Sequence, residues 1–519
     1  MILLLLACAD ARVDDPPVAA CAAMDLTLAQ EWPDTALPHA APVDGTQPGV
    51  AIGDLDGDGW LDVFLAYAGG SLGLRNDGTG VLVEAGGFTL DGGALPSGES
   101  VALADIDGDG DLDAHLGRWG AVDLLLVNDG TGDFAATELG GSEGATFSSA
   151  FADADGDGDL DLFVGAGAVD MTLEELRDGS LRGDPNLLYQ RGDDGAYTLA
   201  EGAMPADTLH GITFQGAWLD VEHDGDLDLY VANDAGPFLD PNHLLLNDGT
   251  AHFTEAAACF CDLSMFSMGV AVGDPDGNGF ADLYITDVGG PNLLLSQGDS
   301  TFVDATYAQG ADIPPEATSM VSWGTGFVDL DGDQALDLVV TFGRSGENFL
   351  DAVEIDPDWV DGDEQPDVVL LGGPDGRFTR ATDLGFADPA RTRAMAVGDL
   401  DRDGRPDVVT AGKHFLKIWR TSGGCGPGLT VALDAGPLDR HGLGARVTVE
   451  ANGIATHQWM LPGATGSSSA PELYFGLGGA PAADRVTVRW VDGTVTVVSG
   501  ETLEAGETLE AGARLAIAR

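Results

Sequence analysis

Seven stretches of the chain place acidic side chains at positions 1, 3 and 9 of a nine-residue pattern, six of them also at position 5, usually with glycine at position 6. They read DLDGDGWLD from Asp54, DIDGDGDLD from Asp105, DADGDGDLD from Asp153, DVEHDGDLD from Asp220, DPDGNGFAD from Asp274, DLDGDQALD from Asp329 and DLDRDGRPD from Asp399. Alternate carboxylates on a tight turn can converge on one hard cation, and the carbonyl at position 7 adds an oxygen. An all-oxygen shell of about six to eight ligands suits Ca²⁺, whereas Mg²⁺ prefers a tighter octahedron and keeps its waters. The expected ligands of the first loop are Asp54, Asp56, Asp58 and Asp62 with the Trp60 carbonyl; those of the second are Asp105, Asp107, Asp109, Asp113 and the Asp111 carbonyl. The third offers Asp153, Asp155, Asp157, Asp159 and Asp161, and the fourth Asp220, Glu222, Asp224, Asp226 and Asp228. The fifth offers Asp274, Asp276, Asn278, Phe280 and Asp282, the sixth Asp329, Asp331, Asp333, Ala335 and Asp337, and the seventh Asp399, Asp401, Asp403, Arg405 and Asp407. About seven Ca²⁺ are therefore expected, one per loop. Asn278 removes a carboxylate, Glu222 has a longer arm, and Gln334 stands where glycine usually makes the turn, so these three loops are expected to be the weaker ones.

The flanks say what must hold these loops. Short apolar runs such as GVAIGD, SVALAD and SSAFAD precede them, and LDVFLAYA, LDLFVGA or LDLYVAN follow. Brief β-rich runs bounded by Gly and Asn read as strands, so each loop joins two strands of a hairpin. An EF-hand would need flanking helices and a glutamate at position 12, where the first three loops carry Leu65, Leu116 and Val164. A second hairpin signal follows in most repeats, as in LLLVNDGTGDF from Leu124 or HLLLNDGTAHF from His243. Two hairpins per period make one four-stranded unit. The loop starts lie 51, 48, 67, 54, 55 and 70 residues apart by subtraction, the long period of propeller blades. The fold expected is all-β: a seven-bladed β-propeller over residues 24–422 and a small β-rich domain over 426–519. The seventh repeat supplies only three strands. Met24–Gln30, which alternates apolar and polar residues, is expected to pair with Phe415–Trp419 as the fourth and to clasp first and last blades together.

Composition restricts the function classes. Lys and Arg number 22 against 87 acidic residues, a formal charge of −65, which argues against a nucleic-acid partner. The five cysteines are too few for a disulfide scaffold. Cys259 and Cys261 are too close for an easy bridge, and pairing with Cys21 or Cys425 is left open. The opening MILLLLAC is similar to a bacterial lipoprotein leader, so residues 1–20 are expected to direct export and Cys8 to carry a lipid. No later apolar run reaches the ~20 residues of a membrane span. Arg191-Gly192-Asp193 falls on an expected turn of the repeat, and His223 reads as a solvated loop residue.

The repeats resemble the FG-GAP, or VCBS-type, repeats of integrin α-subunit propellers over roughly residues 45–420, where such loops bind calcium. RHGLGARVTV from Arg440, ELYFGLG from Glu472 and VTVRWVDGTV from Val486 resemble, in that order, the ASPIC/UnbV domain. Propeller followed by this domain is similar to the cartilage acidic protein family. The resemblance implies a secreted or surface-exposed calcium-binding protein. The reading is a non-enzymatic module binding a protein or glycan at the cell surface. Two rivals stand beside it: a propeller-based polysaccharide lyase or hydrolase, and a passive calcium-binding surface or matrix protein. The long insertions at 165–185 and 343–365 contain no histidine and only Arg177, Arg182 and Arg344 as basic groups, which disfavours the enzyme.

Overall fold

The computed structural model describes residues 21–33, 48–84, 88–169, 174–175, 180–313, 320–343, 365–386, 391–412, 415–436, 439–461, 463–464, 466–500 and 509–519. Residues 1–20 with Cys8, and most of the second long insertion, lie outside the described residues.

The chain is all-β. Among the described residues seven sheets follow one another, each built on four antiparallel strands with an aspartate loop between the first two; the first and second sheets also carry a parallel pairing at one edge. In the first sheet Gly49–Gly53 pairs with Asp62–Ala66, then Leu72–Asn76, then Leu82–Val83. The same order recurs from Ser100–Ala104, Thr146–Ala152, Ile212–Leu219, Val270–Gly273, Ser322–Val328 and Thr392–Gly398. These first strands are buried almost throughout, because both of their faces are covered. Each packs beside the first strand of the next sheet, and that of the seventh returns to that of the first. Apolar clusters fill the spaces between successive sheets, as where Ala51, Phe64 and Ala66 meet Leu103, Leu112 and Phe134.

The clasp is present. Asp25–Pro33 pairs antiparallel with Phe415–Ser422 and supplies the fourth strand of the seventh sheet. The pairing runs further than the expected Met24–Gln30 with Phe415–Trp419. Leu26 faces Thr421 and Leu28 faces Trp419, a bulge intervenes before Gln30, and residues through Pro33 continue the pairing. Leu28 is exposed, and beyond the bulge the Gln30 amide donates to the Leu82 carbonyl and accepts from the Leu82 N–H, at 3.0 and 2.9 Å. The N-terminal strand thereby joins the seventh sheet to the first. Cys21 and Cys425 are disulfide-bonded beside the clasp. Cys259 and Cys261 are also bridged, contrary to the sequence expectation; the left-handed Phe260 between them, φ 58°, bends the backbone enough to bring the two together.

Beyond residue 426 a three-stranded sheet (Leu473–Phe475, Leu429–Asp434, Arg514–Ala518) and a four-stranded sheet (Ile454–Trp459, Arg446–Ala451, Arg485–Arg489, Val495–Ser499) enclose a core of Val431, Val447, Val449, Phe475, Val488 and Ile517. That core is continuous with Ala102, Phe151 and Leu162 of the second and third sheets. A short hairpin, Gly463–Ala464 with Ser467–Ser468, inserts among the first strands: Ser468 pairs with Ala51, Val101 N–H donates to Gly466 O, and Ala470 N–H donates to Val397 O. Gly49 is required here, since a Cβ on it would sit 2.2 Å from Gly466 O.

Candidate metal centres

Each aspartate loop is organised by its own carboxylates. Aspartate at position 1 accepts backbone N–H groups from further along the turn, as Asp105 does from Gly108 at 2.8 Å and Gly110 at 2.9 Å. Position 3 accepts from position 5, and position 5 from position 7, as in Asp58 N–H to Asp56 and Trp60 N–H to Asp58. The result is a turn that curls around its own oxygens. Glycine at position 6 holds φ near +90° or above in most loops; Gln334 adopts the same left-handed backbone at +81°. Its amide donates to the Ala451 carbonyl at 3.1 Å, so a contact with the C-terminal domain offsets the strain.

The turn brings together carboxylate oxygens of Asp54, Asp56 and Asp58; of Asp105, Asp107 and Asp113; of Asp153, Asp155 and Asp157; of Asp274, Asp276 and Asp282; and of Asp329, Asp331 and Asp333, in each case mutually within 4.8 Å. Position 9 does more than the spacing suggested. Its two oxygens accept the N–H of position 2 and an N–H at the end of the third strand. Asp62 takes Leu55 and Asn76 (3.0 and 2.8 Å), Asp113 takes Ile106 and Asn128, Asp161 takes Ala154 and Arg191, Asp228 takes Val221 and Asn247, Asp337 takes Leu330 and Gly372, and Asp407 takes Leu400 and Thr421. This carboxylate therefore stitches the aspartate loop to the second hairpin.

Burial makes these carboxyls poor acids. Desolvation, with the neighbouring loop aspartates adding to it, pushes Asp62, Asp113, Asp161 and Asp228 up to about 7, Asp407 to about 8 and Asp282 to about 9. At position 1, desolvation raises Asp153 and Asp220 to about 6, Asp274 and Asp399 to about 7 and Asp329 to about 8. Crowded, half-desolvated carboxylates need either protons or a cation. Buried carboxylate oxygens without a hydrogen-bond donor, Asp54 Oδ1 and Asp282 Oδ2, point the same way. The donor set is hard oxygen throughout and fits a divalent cation such as Ca²⁺.

Not every expected ligand faces inward. Glu222 accepts from Ser300 Oγ of the fifth sheet at 3.1 Å; the Arg405 guanidinium pairs with Asp403 at 3.0 Å, which leaves the carbonyl expected of position 7 untouched. Asp159 pairs with Arg191 at 3.0 Å, which places that Arg-Gly-Asp sequence in the structural turn expected of it. Two sets of residues escaped the sequence reading. Arg75, Gln190 and Arg420, at the ends of third strands, reach Asp56, Asp155 and Asp407. Asn76, Asn128 and Asn247 donate across to the position-2 carbonyls of Leu400, Leu55 and Ala154 in the preceding sheet. The recurring Asn-Asp-Gly signalled a turn; the same Asn also locks neighbouring sheets.

The C-terminal domain sits over these loops. Arg446 donates to Gly279 O at 2.9 Å, Gly476 N–H to Asp329 at 3.0 Å, Gly478 N–H to Gly332 O and Gly428 N–H to Gly404 O. A cavity of about 320 Å³ separates Asp153 and Gly156–Gly158 from Asp439, Trp490 and Arg519. At the opposite ends of the first strands lie stacked aromatics, with Phe147 and Phe214 at 4.5 Å and Trp323 edge-on at 5.9 Å. Trp119, Phe266 and the exposed Phe238 flank them.

Comparison with known families matches FG-GAP-like repeats at residues 54–116, 220–285 and 356–410, and ASPIC and UnbV at 436–514. The chain thus carries FG-GAP-like repeats followed by an ASPIC/UnbV domain. No curated protein matches it significantly. Among solved structures, an Agrocybe aegerita lectin that recognises non-reducing terminal N-acetylglucosamine is 17% identical over 71% of this chain and 86% of its own, TM-score 0.41. The BP39L lectin of Burkholderia pseudomallei is 13% identical over 72% and 96%, TM-score 0.41. The Vibrio cholerae biofilm matrix protein Bap1 is 12% identical over 92% and 63%, TM-score 0.32.

Proposed function

We propose that the seven sheets are the blades of one β-propeller, that each aspartate loop holds a Ca²⁺, and that the protein is a non-enzymatic binding module outside the cytoplasm. The observation that carries this reading is the recurrence, in the same place in every sheet, of a buried position-9 aspartate, with carboxylate oxygens clustered beside it in the loops from Asp54, Asp105, Asp153, Asp274 and Asp329. The bridged pairs Cys21–Cys425 and Cys259–Cys261 suit an oxidising compartment. With the C-terminal domain seated on the loop face, the surface for a protein or glycan is the opposite face, around Trp119, Phe238 and Phe266. Catalysis over a central channel is disfavoured. The inserted hairpin leaves about 140 Å³ between the first strands and residues 458–474, small beside the ~300–1,000 Å³ of ligand pockets.

Calcium titration of the full chain tests the reading. With affinities near ~10⁻⁴ M and ~1 mM free calcium, each site contributes about 1.4 kcal/mol, and all together roughly 10 kcal/mol. Chelation should lower the melting temperature by many degrees, and Asp56→Ala or Asp107→Ala should each remove one ion. A melt unchanged by EDTA sinks the proposal.

A further inference from the structure

The fifth loop breaks the position-9 rule. In the other six loops the residue at position 2 donates its N–H to Oδ2 of the position-9 aspartate, at 2.8–3.1 Å. In the fifth, position 2 is Pro275, which has no N–H to donate. Asp282 is fully buried; its Oδ1 accepts from Ser296 N–H at 2.7 Å, while its Oδ2 has no donor at all. An oxygen of the same carboxylate lies within 4.8 Å of oxygens from Asp274 and Asp276. An unpaired carboxylate oxygen in a wholly buried place is costly, and the partner it can gain is a proton or a cation held in that cluster.

We infer that Pro275 makes the fifth loop the tightest of the metal sites, with Asp282 Oδ2 committed to the cation instead of shared with the backbone. This inference rests on the calcium reading of the loops. It also reverses the expectation from composition, in which Asn278 made this loop one of the weak ones. Asn278 turns its amide towards Asp276, at 3.2 Å, so the loop loses one charge but has one oxygen free of competing donors. In the metal-free protein the other six position-9 carboxylates keep both N–H partners. Asp282 does not, and its metal-free state is correspondingly disfavoured. The discrimination expected is that of one hydrogen bond to a charged group, about ten-fold in affinity.

The experiment is calcium content by mass spectrometry after equilibrating the full chain in chelator-buffered calcium of decreasing concentration. Wild type should keep one ion to about ten-fold lower free calcium than the rest. Pro275→Ala restores an N–H at position 2 and should release that ion with the others. The substitution falls in a loop whose backbone alanine can adopt, so the fold should survive it. Independently of that variant, Asp274→Ala should delete the tight ion and Asp54→Ala a weak one. Release of all wild-type ions in one step, retention of the tight ion by Pro275→Ala, or its retention by Asp274→Ala overturns the inference while leaving calcium binding intact. A wild-type protein that takes up no calcium overturns the metal reading itself, and the inference with it.

Discussion

Removing the N-terminal clasp should weaken the whole set of sheets and not merely shorten a tail. Deleting residues 1–48 takes away Asp25–Pro33 and leaves the Phe415–Ser422 strand as an open edge. Leu26 is fully buried among Val328, Val339, Phe386 and Trp419, and removing such a side chain costs about 3 kcal/mol. Half-buried Trp32 packs on the cluster between the first and seventh sheets and adds about 2 kcal/mol. The two Gln30–Leu82 hydrogen bonds add about 1 kcal/mol each. The strand alone therefore contributes about 7 kcal/mol by these measures. A chain of ~500 residues unfolds with an entropy near 1 kcal/mol/K, so this amount lowers the midpoint by about 7 °C. The Cys21–Cys425 bridge, spanning 404 residues, adds about 6 kcal/mol in the chain-entropy account. Cys21→Ser separates the two contributions, since it keeps the strand and loses only the bridge. The assay is thermal unfolding in calcium buffer followed by calorimetry, with light scattering to detect edge-to-edge association of the bared strand. A truncated protein melting within about 2 °C of the full chain refutes the clasp as a determinant of stability.

Two further outcomes follow from the loops and the C-terminal domain. In chelator, stability should rise as pH falls from about 9 to about 5. A carboxyl raised in the folded state, such as Asp62 at about 7 or Asp282 at about 9, contributes stability that is present below its unfolded value near 3.8 and is lost as pH climbs through the folded value. Calcium should reverse the trend, because protons then compete with the ion, and parallel pH–stability curves with and without calcium would contradict the assignment. Residues 426–519 expressed alone should fold and be indifferent to calcium, but residues 466–470, whose partners are Val101, Ala51 and Val397, should lose their hydrogen-exchange protection; an unfolded fragment or a fully protected hairpin counts against this.

Much of this protein was written into local sequence. The nine-residue aspartate pattern, its seven-fold recurrence and the flanking apolar runs were enough to set an all-β chain of repeated hairpins, because turn chemistry and strand alternation act over a few residues. The clasp was legible for the same reason: a repeat short of one strand and an orphan alternating segment at the other chain end imply each other. Its register was not, since the bulge before Gln30 depends on what Gln30 meets across the gap at Leu82. Cys259–Cys261 pairing depended on a left-handed Phe260, a backbone state that residue type does not announce. Above all, which oxygens of a loop are free to hold a cation is a tertiary property. Asp62 and Asp282 occupy the same place in the pattern, yet one carboxylate meets two N–H groups and the other only one. Their donors come from position 2 and from a strand a dozen or more residues away, so only folding, which brings those groups within hydrogen-bond reach, could tell the two apart.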